Sequence, residues 1–184
     1  MTWDLPLNVD INGNLHPIRN KCDYRVVLDA ICALNDVDLT NDEKIKCALL
    51  IFYEDISKID DFETAVKEMF RIINGGETED NSQEQKPSLM DWEHDFPQIA
   101  PPVSRVLGYD VRTPDRYCHF WTFLGAYMEI GECNFSTIVS IRSKRLKGKK
   151  LDDWENEYIR EHRKTVDLPR KLTAEEQDFL DSEW

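Results

Sequence analysis

The chain has 184 residues, a length that suits a compact domain with its own hydrophobic core. Hydrophobic residues make up 41% of the sequence and charged residues 32%, so a largely disordered chain is not expected. The formal net charge of -13 disfavours non-specific binding to nucleic acid or to anionic membranes, because both are themselves negative.

The sequence also bears on the compartment in which the protein works. No apolar stretch approaches the roughly 18 residues of a membrane span, and the first residues lack the pattern of a secretory signal, so we expect a cytoplasmic protein. Five cysteines, with no Cys-x-x-Cys pair, predict buried thiols in place of a disulfide framework or a zinc site.

The first predicted element is a β-hairpin. Leu7, Val9 and Ile11 alternate with polar residues, as in a half-buried strand. Asn12 and Gly13 follow, and this pair is typical of a tight type I′ turn, which needs two residues with positive φ. A short two-stranded ribbon is therefore predicted at the start of the chain.

Three helices are predicted in the rest of the first half. Apolar residues at helical spacing begin after Asp23. Thr40 and Glu43 form a capping box that starts the second helix. The third helix begins near Asp61, whose carboxylate suits the positive end of a helix dipole, and it ends at residues 74–76, Asn-Gly-Gly.

A polar segment, residues 77–87, contains nothing that a core would bury. We interpret it as a linker between an N-terminal subdomain, residues 1–76, and a C-terminal helical subdomain, residues 88–184. The two are expected to pack as one unit.

The second half again shows helical patterns. Ser88 resembles the first residue of a capping box, and the prolines at 97, 101 and 102 predict a kink or break, with a short helix over residues 101–107. Thr113 before Pro114 predicts the start of the most apolar helix, residues 117–130. Further helices are predicted from Asn134, Asp153 and Thr173. Together these patterns predict an all-α fold, an irregular helical bundle with a short N-terminal β-hairpin.

A search for catalytic motifs gives no candidate of high specificity. The seven glycines form neither a G-x-G-x-x-G motif nor a P-loop, and H-E-x-x-H and G-x-S-x-G motifs are absent from the sequence. We therefore expect a protein that is not an enzyme and that needs no cofactor or metal.

Two weaker candidates for chemistry stay open. Asp91, His94 and Asp95 share a helix face and could present two carboxylates and an imidazole to a metal, although a capping carboxylate beside a surface histidine gives the same pattern. His119 lies within an aromatic run, where a hydrogen-bonded core histidine is more common than a catalytic base.

A basic run departs from the acidic background of the chain. Its members are Arg142, Lys144, Arg145, Lys147, Lys149 and Lys150. Cations near the end of a helix are favoured by the helix dipole, but the run could also bind an acidic protein surface, a neighbouring copy or nucleic acid. The candidate partner-binding residues are Arg142, Lys144, Arg145 and Lys147.

Two segments carry a family resemblance. Residues 119–125, His-Phe-Trp-Thr-Phe-Leu-Gly, and residues 135–142, Phe-Ser-Thr-Ile-Val-Ser-Ile-Arg, resemble the C-terminal signature of the bacteriophage gp-fifteen family of long-tailed phages of Gram-positive bacteria. Phe120 stands where the family typically has tryptophan. The hairpin, the capped helix at Thr40 and the stop at 74–76 also occur in the expected order, so the resemblance runs from Leu7 to Val166.

The resemblance implies a non-enzymatic phage tail assembly protein, a chaperone for the tape measure protein encoded next to it. The implied partners are the tape measure protein and the tail tube protein. From the basic run and the net charge of the chain we separately expect possible self-association and no nucleic acid or membrane partner. The implied location is the host bacterial cytoplasm, outside the mature virion. Two alternatives stay open: a structural virion component such as a tail completion or connector protein, and a small hydrolase or metal protein using Asp91, His94, Asp95 or His119.

Overall fold

A computed structural model describes residues 4–77 and 88–169, which form a β-hairpin and eight α-helices. The strands are β1 (Asn8–Ile11) and β2 (Asn14–Pro17). The helices are α1 (Tyr24–Leu34), α2 (Asn41–Phe52), α3 (Phe62–Ile73), α4 (Trp92–Leu107), α5 (Phe120–Met128), α6 (Asn134–Leu146), α7 (Asp153–Glu161) and α8 (Arg163–Val166). Short 3-10 turns cover Arg19–Lys21 and Ile56–Lys58. This mostly helical architecture with an N-terminal hairpin confirms the predicted fold class.

The described chain divides into two compact units. The first unit contains residues 4–77 and 117–124, and the second contains residues 88–116 and 125–169. Helix α5 therefore begins in the first unit and ends in the second. Most of the predicted linker and the helix predicted at Thr173 lie outside the described residues, so both stay predictions.

The hairpin forms in the predicted place. β1 and β2 are antiparallel, with Ile11 opposite Asn14, and Asn12 and Gly13 take the positive φ values of 54° and 85° that the turn requires. The side chain of Val9 is buried together with that of Ile11. The alternation of apolar and polar residues thus places one face of β1 in the core.

The helix starts predicted in the first half are confirmed. Asp23 caps α1, and Thr40 and Glu43 form the predicted capping box of α2, with Thr40 N donating to Glu43 Oε2 at 2.9 Å. Asp61 caps α3 by accepting from Thr64 N at 3.0 Å. Each side chain satisfies a backbone donor that the first helical turn leaves open.

Aromatic residues fill much of the core of the first unit. Tyr24 stacks on Phe123 with ring centroids 4.5 Å apart, and the buried Tyr53 hydroxyl donates to Ala65 O at 2.9 Å. Phe62, at the first position of α3, is 52% exposed and lies outside this core.

Helix α4 corrects the predicted proline break. It runs without interruption from Trp92 to Leu107 and includes Pro97, Pro101 and Pro102. Each proline removes one backbone hydrogen bond, but the apolar face of the helix stays in the core. The buried apolar residues on this face are Ile99, Ala100 and Val103. Burial of this face compensates for the missing donors.

Two other helix starts differ from the prediction by a few residues. The residue that caps α4 is Asp91, which accepts from His94 N at 2.9 Å, whereas Ser88 contacts Met90. The residue that caps α6 is Cys133, with Asn134 as the first helical residue. Short polar residues are clustered at both places, so the sequence pattern indicated a cap without fixing which residue supplies it.

The helix predicted to start at Thr113 begins later, at Phe120. Thr113 Oγ1 donates to Asp110 O at 2.7 Å, and Asp115 has a φ of 60°, so this segment is a turn. Tyr117 lies before the helix and is 49% exposed. The Thr-Pro pattern was therefore wrong as a helix start, because the same residues also favour turns.

Within residues 4–77 and 88–169, no helix is long and apolar enough to cross a bilayer.

Trp121 connects α5 to the end of α3 within the first unit. Its indole Nε1 donates to Ile72 O at 2.9 Å. A Cβ added at Gly76 would lie 3.1 Å from the indole ring, and Gly76 also has a φ of 100°, so only glycine fits there without strain. The indole ring therefore closes against the C-terminal turn of α3.

We predict that Trp121→Ala lowers the free energy of unfolding by about 3 kcal/mol, the usual cost of removing a large packed aromatic ring. Trp121→Phe should cost less, because it removes the hydrogen bond to Ile72 and keeps most of the ring. Denaturant unfolding monitored by circular dichroism measures both. Equal stability of the parent and Trp121→Ala would show that this contact does not hold the first unit together.

Candidate partner-binding surface

The predicted basic cluster lies on and after α6, and the structure separates its members by burial. Arg142 is 7% exposed, whereas Arg145 and Lys147 are exposed. Lys144 is only partly exposed. The run of cations in the sequence is therefore not one continuous charged surface.

Arg142 forms a buried ion pair with Asp95 of α4, which is fully buried. Two parallel hydrogen bonds, of 2.7 and 2.9 Å, join the guanidinium to the carboxylate. The remaining N–H groups donate to the carbonyls of Leu89, Thr165 and Val166 at 3.0, 2.8 and 2.7 Å. All five donors of the guanidinium are thus used inside the second unit.

This geometry corrects the assignment of Arg142 as a partner-binding residue. A guanidinium whose donors are all satisfied in the interior cannot contact an acidic surface. Sequence reasoning missed the pair because Asp95 and Arg142 are 47 residues apart, and no periodic pattern connects them.

The same geometry accounts for the metal-like cluster. Asp91 caps α4, and Asp95 accepts from Asp91 N at 2.9 Å as well as from Arg142. Within the two described ranges, no group of three His, Cys, Asp or Glu residues is arranged to hold a metal ion. The Asp91 carboxylate therefore caps α4, and the Asp95 carboxylate forms the ion pair with Arg142.

Lys144 and Arg145 make ion pairs within the second unit. Lys144 Nζ lies 2.8 Å from a carboxylate oxygen of the buried Glu155 and 3.3 Å from one of Asp152, and its hydrogen bond to Glu155 raises the pKa of Lys144. Arg145 pairs with Asp167, and this contact lowers the pKa of Asp167. Both cations thereby connect α6 to later parts of the chain.

Lys147, Lys149 and Lys150 are the cations that stay available at the end of α6. All three are exposed, and no acidic residue in the described parts of the chain pairs with them. Lys147 and Lys149 also border an open groove of about 380 Å³. The groove is lined by Leu89, Ser136, Val139, Ser140, Ser143, Lys144, Lys147 and Lys149.

Helix α7 presents a second exposed feature. Trp154, the second residue of α7, is 54% exposed. Glu157 and Glu161 lie three and seven positions after Trp154 and are also exposed, so the three side chains share one face of α7. We call this face the Trp154 face and the cavity along α6 the α6 groove.

His119 is a core residue, as predicted. It is 2% exposed, its Nδ1 accepts from Trp121 N at 3.0 Å, and its Nε2 lies 3.0 Å from Pro6 O. Since Nδ1 accepts, Nε2 carries the proton and donates to the carbonyl. Burial lowers the pKa of His119 below its ordinary value of 6.5, so the neutral ring is favoured in the folded chain.

These contacts define a small, mostly α-helical protein in which the buried charged residues Asp95, Arg142 and Glu155 form ion pairs within the fold. Residues 1–168 match the family described as Bacteriophage Gp15 protein, and the chain belongs to this family. It is therefore a bacteriophage protein, and the family resemblance noted from the sequence is confirmed. No curated protein and no solved structure gives a significant match.

We predict that Arg142→Met lowers the free energy of unfolding by about 3–5 kcal/mol, because it leaves the Asp95 carboxylate buried without a counter-charge. The double variant Asp95→Leu, Arg142→Met should lose less stability than Arg142→Met alone, since it removes both charges. Arg145→Met, which breaks an exposed pair, is the matched control and should lose little. Denaturant unfolding of the four chains measures these differences. Equal losses for Arg142→Met and Arg145→Met would contradict a buried pair in solution.

We also predict a pH dependence from His119. The unfolded chain takes up a proton near pH 6.5, while the folded chain resists it, so folding stability falls as the pH drops below about 6.5. His119→Gln cannot titrate at this position. Between about pH 7 and about pH 5.5 the parent should therefore lose more stability than the variant, measured by denaturant unfolding at each pH. Identical slopes for the two chains would rule out this role of His119.

Proposed function

We propose that the chain is a non-enzymatic tail assembly protein that keeps the tape measure protein soluble until the tail tube forms around it. The observation that carries this proposal is the family match over residues 1–168. The partner is inferred from gene order, because the resemblance implies a gene that lies just before the tape measure gene, a position typical of tail assembly chaperones.

The physical properties of the chain support this role. A tape measure protein is expected to be a long helical chain with apolar stripes, and such stripes aggregate when they stay uncovered. A bound protein with a net charge of -13 keeps a complex dispersed through charge repulsion. Grooves beside helices accept amphipathic helices through apolar side chains at helical spacing.

Partner binding through Lys144, Arg145 and Lys147 stays a prediction, and Arg142 is withdrawn from this set because it is buried. Lys144 and Arg145 already pair with acidic residues, so Lys147 is the member of the set whose charge is most available. An exposed ion pair contributes little stability, so a partner could displace Arg145 from Asp167 at small cost.

We predict that co-expression with the neighbouring tape measure protein raises the soluble yield of that protein and that the two co-purify. An unrelated acidic helical protein expressed at the same level is the control for a general solubility effect. The fraction of soluble tape measure protein is measured by quantitative gel analysis after centrifugation.

A tape measure protein that stays insoluble and uncomplexed in the presence of this chain would contradict the chaperone function. Mass spectrometry of purified phage particles provides the second arm. An assembly chaperone should be missing from mature particles, whereas stoichiometric amounts would favour a tail completion or connector protein.

A further inference from the structure

We propose that this protein binds a second copy of itself through the second unit, with the Trp154 face of one copy seated in the α6 groove of the other. In this contact the indole of Trp154 enters the groove, and Glu157 and Glu161 meet Lys147 and Lys149. The proposal does not require tape measure binding, and the two contacts would share Lys147.

The α6 groove has the form of a receptor for a large apolar side chain. Val139 and Leu89 supply apolar surface, and Ser140 and Ser143 are small enough to leave the face of α6 open. The volume of about 380 Å³ is larger than an indole ring. Two exposed lysines border this cavity, so its outer part favours carboxylates.

The Trp154 face supplies the complementary features. A tryptophan that is 54% exposed leaves a large apolar surface in water, and tryptophan is among the residues that dominate binding energy at protein interfaces. Glu157 and Glu161 follow it on the same side of α7. The face therefore combines an apolar anchor with two carboxylates, which matches the composition of the groove.

The charge of the chain makes this contact selective. Two copies with a formal charge of -13 each repel one another, so a contact in which opposite charges meet is favoured over contacts without them. Lys147 and Lys149 have no acidic partner in the described parts of the chain, and they can supply that attraction. Each copy also carries both halves of the contact, so a two-fold arrangement can satisfy both at once.

Stabilisation by the helix dipole does not account for these features equally well. The dipole favours cations within the last turn of a helix. Lys149 and Lys150 lie beyond Leu146, where α6 ends, and the dipole gives no reason for an exposed tryptophan on α7. A contact with a second copy accounts for both.

The test uses charge reversal on each side of the contact. Sedimentation velocity of the full chain should show a concentration-dependent dimer for the parent. Lys147→Glu with Lys149→Glu, and separately Glu157→Lys with Glu161→Lys, should each raise the dimer dissociation constant at least about tenfold. Mixing the two variants should restore the dimer, because opposite charges again face one another. Trp154→Ala should weaken the parent dimer without restoration by either variant.

The matched control is Lys21→Glu with Lys46→Glu, which changes the charge equally on exposed residues of the first unit and should leave the dimer intact. Circular dichroism of every variant verifies folding. A parent that stays monomeric, or a mixture of folded variants that stays monomeric, overturns the proposal. Either result leaves the solubility of the tape measure protein as a separate measurement, so the two proposals fail independently.

Discussion

The second unit depends on the buried ion pair between Asp95 and Arg142. Removing two charges from water costs several kcal/mol for each, and attraction inside the protein offsets this cost only when hydrogen bonding is nearly complete. The guanidinium meets that condition, because it donates twice to Asp95 and once each to three backbone carbonyls. Lysine could not do the same, since its single ammonium group lacks the planar fork of arginine.

The pair also explains how a very short helix is held in place. Helix α8 has four residues, too few for stability by backbone hydrogen bonding alone. The guanidinium binds the carbonyls of Thr165 and Val166, and the Val166 side chain packs with Ile138 and Ile141 of α6. Polar contacts thus fix the backbone of α8, while apolar contacts bury its one inward side chain. The hydrogen bonds hold Val166 in place for packing, and the packing of Val166 holds its carbonyl in place for the hydrogen bond.

The sequence predicted the structure best where an element is held by hydrogen bonds between residues that are close in sequence. The hairpin turn at Asn12 and the capping box at Thr40 were predictable, because their hydrogen bonds join residues within a few positions. The prolines of α4 were misleading, since burial of Ile99 and Val103 is a tertiary effect that outweighs local propensity. Arg142 was misassigned to the candidate site for the same reason: Arg142 and Lys147 are both cations in the basic run of the sequence, and only the position of Asp95 tells them apart.

Separating buried from exposed cations changes what the surface of α6 can do. All the donors of Arg142 are used inside the fold, and Lys144 and Arg145 already pair with acidic residues of later segments. The exposed lysines are joined to no described carboxylate, so a partner can bind them without first breaking an internal contact. Contacts of this kind are screened by salt and dissociate readily, because the charges remain near water. The proposed role, in which the chain holds a partner and later releases it to a growing assembly, would use such reversible binding. Because Arg142 is already paired in the interior and Lys147 and Lys149 are not, a partner could bind and leave these lysines without breaking the contacts that hold the second unit together.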